Sequence, residues 1–359
     1  MLKIITVSLI FLWCTACVKN SDGMQVTIQN TQRWSSGLRA NNQPGLSGIS
    51  EDEIYIWGTR GDQFLMTFYS FSGEKLREIV FNKGKGPGEI QFPRIAKLAD
   101  EKIFIYDYWL RRINIYSLDG KIIDDIVIND SDLSSISDLF YYKEKIYIHC
   151  SEKCLLAAID MTGTVVKKRM YEPSTVSSNA DETPILNGAL YLNDRERSLY
   201  IAYSNTPLRI DVFDLALEKT DSMVIPQHKK YEPYRFQLQQ YGDMTFMSSV
   251  GDDLASSVAF WKDYILLPLP ARTVQTETKD LPKDVDNGFQ LINTRKKQVA
   301  GVAYDEVFRH TLGLSYYILG VRKNMIICGV YATHKESYER SYGTKSGDDL
   351  EIFVFTITE

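Results

Sequence analysis

The stretch KIFIYDYWLRRINIYSLDGKIIDDIVI, residues 102–128, decides the fold of this chain. One apolar run ends at Asp107, a second begins at Arg112, and the dipeptide Asp119-Gly120 separates the second run from a third. An Asp-Gly pair between two apolar runs is a strong signal for a β-hairpin, because both turn positions accept a positive φ. Together with the preceding apolar run at 94–98, the stretch predicts four antiparallel strands in about 35 residues, which is the content of one propeller blade.

The same unit returns along the chain. A copy of the strand–turn–strand hairpin begins at each of Phe68, Ile113, Ala157, Ile210 and Phe289, and a last copy from Glu351 ends before its turn. The strand before each hairpin also recurs, as EIYIWG (53–58), KIFIYD (102–107), KIYIHC (145–150), SLYIAY (198–203), DYILLP (263–268) and NMIICG (324–329). These strands are apolar at successive positions, which predicts that both of their faces are buried between neighbouring blades. Six copies predict an all-β fold, a six-bladed β-propeller with four-stranded antiparallel blades.

The end of the chain indicates how the ring closes. The last copy, EIFVFTITE (351–359), lacks a fourth strand, whereas residues 24–30 alternate like a strand and have no blade of their own. We therefore predict that this N-terminal strand pairs with the C-terminal blade and covers its open edge. Three long segments separate the later strands, at 226–254, 268–287 and 331–349, and we predict a short helix at 233–241 in the first of them.

The N-terminus has the pattern of an export signal. Lys3 precedes an apolar run at 4–13, which is short for a membrane span. Small residues then precede Cys17 as in the lipobox of bacterial lipoproteins, although Cys14 stands where leucine is usual. The pattern predicts a lipoprotein signal peptide (1–16), a tether (17–23) whose Cys17 is lipidated, and a propeller domain (24–359). The expected location is the bacterial cell envelope, lipid-anchored, either periplasmic or surface-exposed, with the outer membrane favoured; plain secretion is the alternative.

The charge balance limits the classes of partner that are expected, and the cysteine count limits the cysteine chemistry. With 41 basic and 46 acidic residues the net charge is −5, so no basic surface for nucleic acid is expected, and no feature indicates an obligate oligomer rather than a monomer. Three cysteines remain in the predicted domain, Cys150, Cys154 and Cys328, which cannot all pair. Cys150 and Cys154 flank a predicted hairpin. Reduced thiols, a disulfide between these two, or an incomplete zinc site with His149 all stay open.

A glycine-rich link, GKGPGEIQFP (84–93), precedes the strand that ends at Asp107, and Arg112-Ile113 opens the next strand. In these features the chain resembles the TolB-like and NHL-like six-bladed β-propeller lipoproteins of Bacteroidetes, a family that is largely uncharacterised. The resemblance implies a propeller and an envelope location. Propellers of this kind mostly bind partners, and a few related six-bladed proteins are metal-dependent hydrolases, so the resemblance implies no mechanism. The link does not match a phosphate-binding P-loop, because it lacks the following Lys-Ser/Thr and helix.

Propeller topology predicts which face binds. Loops between second and third strands lie on the same face of the ring as the links between blades. These loops and links are longer than the turns on the opposite face and richer in Trp, Tyr and Arg, the residues that dominate binding hot spots. The candidate binding residues are Trp57, Arg60, Asp107, Tyr108, Trp109, Arg111, His149, Tyr203, Arg272, Tyr331 and His334. Asp107 has two interpretations, an ion pair with Arg112 across the loop or a ligand facing the central channel. The predicted function is an envelope-anchored binding or scaffold module without a cofactor, for an unknown peptide, glycan or envelope protein.

An enzyme is the alternative. The chain has neither the GxSxG motif of serine hydrolases nor the HExxH motif of zinc proteases. A calcium-dependent hydrolase or lactonase at the central channel would instead require carboxylate and amide oxygens to converge on one point. Asp107, Asn205 and Glu336 lie in suitable loops. Ca²⁺ is therefore the cofactor of the alternative function.

Overall fold

The computed structural model describes residues 16–19, 25–39, 44–151, 153–171, 188–193, 195–203, 208–226, 235–241, 244–250, 255–269, 287–304, 314–332 and 349–358. In these ranges the protein is nearly all β, with six blades of four antiparallel strands arranged as a propeller. The helical segments among the described residues are two single turns of 3-10 helix, Pro44–Leu46 and Ser131–Leu133. Neither of them is long enough to cross a bilayer.

The strands follow the blades in chain order. The N-terminal strands are β1 (Ala16–Lys19) and β2 (Gln25–Arg39). Blade one contains β3 (Gly48–Ile49), β4 (Ile54–Arg60), β5 (Gln63–Tyr69) and β6 (Lys75–Phe81). Blade two contains β7 (Pro93–Ala99), β8 (Lys102–Asp107), β9 (Arg112–Ser117) and β10 (Ile122–Val127). Blade three contains β11 (Ile136–Tyr142), β12 (Lys145–Cys150), β13 (Cys154–Asp160) and β14 (Val165–Met170).

The second half continues in the same way, with one addition. Blade four contains β15 (Gly188–Asn193), β16 (Ser198–Tyr203), β17 (Leu208–Asp214) and β18 (Lys219–Ile225). A separate hairpin follows, β19 (Arg235–Tyr241) and β20 (Met244–Val250). Blade five contains β21 (Ala259–Trp261), β22 (Tyr264–Pro268), β23 (Gly288–Asn293) and β24 (Gln298–Tyr304). Blade six contains β25 (Leu314–Arg322), β26 (Met325–Ala332) and β27 (Asp349–Thr358), with β2 as its outer strand.

The predicted second strands are confirmed as β4, β8, β12, β16, β22 and β26, and both of their faces are buried. In β8, for example, Ile103 and Ile105 pack in a cluster with blade one, whereas Phe104 and Tyr106 pack in a cluster with blade three. All four side chains have no exposed surface. Each such residue contributes about 1.5–3 kcal/mol by leaving water, so the blades hold one another through their second strands.

The predicted turn at Asp119-Gly120 is confirmed, and other hairpins of the ring have tight turns as well. Asp100 and Glu101 between β7 and β8 have φ of 47° and 57°, and Lys143 and Glu144 between β11 and β12 have φ of 48° and 61°. Two successive positive φ angles give the turn whose twist matches that of the flanking strands. Gly120, with φ of 81°, serves the β9–β10 turn. These short turns leave the opposite face of the ring to the longer loops.

The helix predicted at 233–241 is wrong, because the chain forms the strand β19 there. β19 pairs with β20 from Arg235–Val250 to Tyr241–Met244. Apolar Phe236 and Leu238 recur at every second position, and Gly242-Asp243 separates the two strands in the sequence. Pairing at period two therefore prevails over local helix propensity.

The N-terminal strand closes the ring, as predicted, but it is longer than expected. β2 pairs antiparallel with β27 from Thr27–Thr358 to Arg39–Asp349. At its far end Arg39 also pairs with Thr59 of β4, so β2 joins blade six to blade one. The predicted strand ended at residue 30, whereas the observed strand continues to Arg39.

The first strands of the blades follow one another around the centre of the ring, and an ion pair together with one hydrogen bond connects three of them. Lys97 of β7 donates to Asp138 of β11, with an Nζ–Oδ1 distance of 3.0 Å. Asp138 also accepts the backbone N–H of Leu190 in β15 at 3.2 Å. Burial opposes the charge of Lys97, but the neighbouring Asp138 carboxylate holds the pKa of Lys97 above its usual value. Blades two, three and four are thus tied together at their inner strands.

Candidate functional site

The loop between β8 and β9 is built around a buried carboxylate. Asp107, the last residue of β8, has no exposed surface. Its Oδ2 accepts the backbone N–H groups of Gln91 at 2.5 Å and Phe92 at 3.0 Å, and its Oδ1 accepts that of Leu110 at 3.0 Å. A carboxylate that accepts several backbone N–H groups fixes the segments that donate them. Asp107 therefore joins the link between blades one and two to the loop within blade two.

Arg112 holds the same link from the neighbouring strand. It is the cross-strand partner of Asp107, but its Nη2 donates to the carbonyls of Gly86 at 2.8 Å and Glu89 at 2.9 Å. Its Nη1 lies 3.8 Å from Asp125. One interpretation of the sequence paired Asp107 with Arg112. In the structure each of the two side chains instead binds backbone groups of the glycine-rich link.

The glycine-rich link has a structural explanation. The Glu89 carboxylate accepts the N–H of Gly86 at 2.7 Å, and a Cβ on Gly84 would overlap that carboxylate. Gly88 has a φ of 70°, and its carbonyl accepts the hydroxyl of Tyr116 at 3.2 Å. The glycines, the acid and the two anchors Asp107 and Arg112 form one unit that shapes the link.

This unit presents an exposed aromatic cluster, which we call the blade-two patch: Phe92, Arg94, Tyr108 and Trp109. Trp109 is 60% exposed and Tyr108 41% exposed. One face of Trp109 stacks on Phe92, with ring centroids 4.8 Å apart and planes at 14°. Tyr108 meets Phe92 edge-on at 6.3 Å, and the Arg94 guanidinium lies 5.5 Å from the Tyr108 ring centroid. The other face of Trp109 is therefore held open to solvent by a fixed support.

Arg111 fastens the end of the same loop. Its φ is 48°, and its Nη2 donates to the carbonyl of Asp130 at 2.8 Å. The Arg111 carbonyl accepts the N–H of Ile128 at 2.8 Å. Nearby, burial raises the pKa of Tyr106 to about 12. Arg111 thus connects the loop to the segment that leaves blade two.

His149 and Tyr203 come together between blades three and four, as neighbours inside the protein. Both are buried. The two rings meet edge-on with centroids 6.5 Å apart. The Nδ1–H of His149 donates to the Leu155 carbonyl at 2.9 Å, and the Tyr203 hydroxyl donates to Asp211 at 3.2 Å. These two candidate residues are therefore part of the protein interior.

Asp211, which the sequence analysis missed, is the centre of this buried network. It is 1% exposed and accepts hydrogen bonds from Arg209 at 2.6 Å, from Ser222 at 2.6 Å and from Lys219 at 2.9 Å. Burial by itself would raise the pKa of Asp211, but these three donors lower it below its usual value. An acid between apolar residues of a third strand, Asp211 in IDVF at 210–213, was the available sequence signal.

The low pKa of Asp211 predicts an acid-sensitive contribution to stability. A carboxylate with a lowered folded pKa stabilises the fold above its unfolded pKa, about 3.9, and the contribution is lost as pH falls through the folded value. We expect Asp211→Asn to lower the free energy of unfolding by about 1–3 kcal/mol at pH 7 and by less near pH 3. Denaturant unfolding between pH 3 and pH 7 measures this. Asp62→Asn, in the exposed β4–β5 turn, is the control, and parallel pH curves for Asp211→Asn and the wild type would contradict the prediction.

Trp57 and Arg60 of β4 have different positions. Trp57 is 3% exposed and stacks on Phe81 at 5.3 Å, so it is part of the core. Arg60 is on the surface and binds both carboxylate oxygens of Glu78, at 3.0 Å and 2.9 Å. Lys75 and then Arg60 lower the pKa of Glu78. Of these two candidates, Arg60 is the one that a partner can reach.

Other candidates fall outside the described residues: Arg272, His334, the side chain of Tyr331, and the alternative metal ligands Asn205 and Glu336. Within the ranges that are described, no group of three or more His, Cys, Asp or Glu residues is placed to hold a metal ion. The predicted signal peptide is also outside them up to residue 15. Cys17 lies in β1, where its backbone pairs with Thr27 of β2.

Comparison with known proteins gives structural neighbours only. The sequence matches no protein-family model, and no curated protein matches it. A member of the DUF4221 family from Bacteroides vulgatus superimposes with a TM-score of 0.59 at 11% identity, covering 93% of this chain and 99% of that one. A candidate exported protein from Bacteroides fragilis gives 0.54 at 10% identity, with coverage of 94% and 96%. The WD40 domain of coronin from Toxoplasma gondii gives 0.50 at 9% identity, with coverage of 95% and 88%. At these identities the similarity confirms the propeller fold, and the TolB-like and NHL-like resemblance stays a prediction.

Proposed function

We propose that this chain is a binding or scaffold module of the bacterial cell envelope, and that its partner docks on the blade-two patch and the loops beside it. The observation that carries the proposal is the arrangement of Trp109. One face of its ring stacks on Phe92, whose backbone the buried Asp107 holds, and the other face is exposed. Large aromatic side chains with a charged neighbour supply most of the energy in binding hot spots. Because the patch is already ordered, binding costs little loss of side-chain freedom.

The rest of the candidate face extends this patch. Arg60 is 60% exposed in its side chain, and Arg111 borders the loop that carries Trp109. Asp107, Trp57, His149 and Tyr203 are buried, so in this proposal they position the loops and do not touch the partner. The partner is a peptide, a glycan or an envelope protein, and the role requires no cofactor.

The proposed location is the envelope, with the domain acting as a monomer on a lipid attached to Cys17. The apolar N-terminal run and the lipobox-like residues support the anchor, and the neighbour described as a candidate exported protein supports export. Metabolic labelling with an alkyne-tagged fatty acid tests the anchor. We expect label on the wild type and none on Cys17→Ser; equal labelling of both would overturn it.

Site-specific photo-crosslinking tests the proposed binding face. A photoreactive phenylalanine analogue replaces Trp109 in the full chain, which is expressed in its native bacterium and irradiated. We expect one discrete adduct from position 109. Ile123 on the outer strand β10, 53% exposed, is the matched control position and is expected to give no such adduct.

A second variant separates binding from folding. Tyr108→Ala removes an exposed ring of the patch without opening the core, so the melting temperature should stay within about 1 °C of the wild type. The adduct from position 109 should become weaker in this background. An adduct of the same mass from positions 109 and 123, unaffected by Tyr108→Ala, would refute the proposed face.

A further inference from the structure

Two cysteines occupy the base of the loop between β12 and β13. Cys150 is the last residue of β12 and Cys154 the first of β13, and both have no exposed surface. The register of β13 against β14 shifts between Cys154 and Leu156, which marks a β-bulge. A bulge adds a residue and turns a side chain to the other face of its strand. As a result, Cys154 lies in the same core cluster as Cys150, on the side of blade two, whereas Leu155 and Leu156 face blade four.

The two thiols belong to one buried cluster, at the two ends of a three-residue loop. A hydrogen bond from Cys150 lowers the pKa of the Cys154 thiol. Cys154 Sγ also lies 3.2 Å from the carbonyl oxygen of Leu156 and 3.5 Å from that of Arg169. The third cysteine of the domain, Cys328, belongs to β26 of blade six and to a different core cluster. Of these three cysteines, Cys150 and Cys154 are therefore the two that share a core cluster.

We infer that Cys150 and Cys154 are a disulfide-forming pair that oxidises when the chain folds outside the cytoplasm. Their shared cluster and the register shift that places Cys154 on the same side of the blade as Cys150 support the pairing, since a disulfide requires two cysteines whose Cβ atoms face one another. An oxidising compartment favours the bond. The inference does not depend on which partner the propeller binds.

The chemistry is a thiol–disulfide exchange. A thiolate of the pair attacks an incoming disulfide, either that of an envelope oxidoreductase or oxidised glutathione, and forms a mixed disulfide while one thiol leaves. The second cysteine then attacks the mixed bond, so that Sγ–Sγ forms and the second thiol leaves. The pair loses two protons and two electrons, and the incoming disulfide takes them up as two thiols. Because both sulfurs are buried in the finished fold, the exchange belongs to the folding chain.

The bond would close a ring of five residues, 150–154, next to His149. His149 already donates across the same loop to Leu155. A covalent closure would hold the blade-three loop in the position from which it borders the candidate binding face. Closing a short loop restricts the unfolded chain less than closing a long one, so we expect a modest rise in melting temperature.

Peptide mapping tests the inference directly, because Lys153 lies between the two cysteines. The full chain is purified from envelopes, alkylated in denaturant without reductant, and digested with trypsin. A disulfide links the separate peptides 146–153 and 154–167, and we expect that linked pair, with Cys328 recovered as the alkylated form. Cys328→Ser should keep the linked pair and Cys154→Ser should abolish it.

A refolding experiment uses the wild-type chain, so its result does not depend on whether a cysteine variant folds. Wild-type full chain, reduced and unfolded, is refolded in a mixture of reduced and oxidised glutathione and mapped in the same way. The linked pair should appear and should raise the melting temperature by a few degrees above that of the same sample after reduction. Recovery of both peptides as alkylated monomers, from the envelope and after refolding, would overturn the inference.

Discussion

A chain that begins at residue 40 is expected to lose its cooperative unfolding transition, whereas a chain that begins at residue 25 keeps it. The first truncation removes β2, which is the outer strand of blade six and also reaches β4 of blade one. The second removes the residues before β2, including β1. We expect the loss of β2 to cost on the order of 5 kcal/mol or more, which is comparable with the total stability of a domain.

The magnitude follows from what β2 covers. Ile28 is 4% exposed and packs in the cluster that joins blades five and six. Leu38 is 6% exposed and packs with Ile54 and Ile56 of blade one, and the Trp34 ring lies 4.8 Å from that of Tyr69. Removing a buried side chain of this size costs about 2–5 kcal/mol. Without β2, the β27 edge would also lose its hydrogen-bond partners along the whole strand.

Calorimetry or denaturant unfolding of the two truncated chains measures the difference. A peptide of residues 25–39, added to the chain that begins at residue 40, should restore the transition by adding a strand to the open edge. The same peptide with Ile28, Trp34 and Leu38 replaced by serine should not. A truncated chain that unfolds cooperatively at the wild-type temperature without peptide would show that the ring does not need this strand.

Much of this architecture could be predicted because the second strands carry an unusual signal. A strand such as KIYIHC is apolar on both faces, and in the structure both faces of β12 are indeed buried. The tight turns were predictable for a similar local reason, since Asp119-Gly120 places glycine where φ is positive. These features depend on neighbours in the sequence, which is why they could be read without a structure.

The features that sequence did not reveal depend on distant partners. The second half of β2 contains polar residues such as Gln32 and Arg33 that give no clear alternation, and it becomes a strand because β27 lies beside it. Phe92 and Arg94 were not among the candidate residues, because they precede Tyr108 and Trp109 by a whole hairpin. The glycine-rich link and the β8–β9 loop come together because the Asp107 carboxylate binds backbone N–H groups of both. Likewise Trp57 is a candidate residue in β4, but it is buried because its ring packs against Phe64 of β5 and Phe81 of β6.

Replacing Asp107 by alanine is expected to lower the free energy of unfolding by about 3–5 kcal/mol, because three backbone N–H groups lose a charged acceptor inside the protein. Asp107→Asn should cost roughly half as much. Its remaining side-chain oxygen can still accept from Gln91 and Phe92, while its amide group then faces the N–H of Leu110. Asp124→Ala, at an exposed acid in β10, is the control. Equal unfolding free energies for Asp107→Ala and the control would contradict the structural role of this carboxylate.

The same variants test whether the buried acid also supports the binding face. Asp107 holds Phe92 from the link and Leu110 from the loop, so its loss should release the stack of Trp109 on Phe92. Among the tryptophans that the structure describes, Trp57 and Trp261 are buried and Trp34 is partly buried, so Trp109 is the most accessible to acrylamide. Quenching in Asp107→Ala should therefore increase under conditions where the variant is still folded, and the photo-adduct from position 109 should weaken. Unchanged quenching together with lower stability would mean that the patch keeps its order through Arg94 and Tyr108 alone, and that Asp107 serves the fold without serving the site.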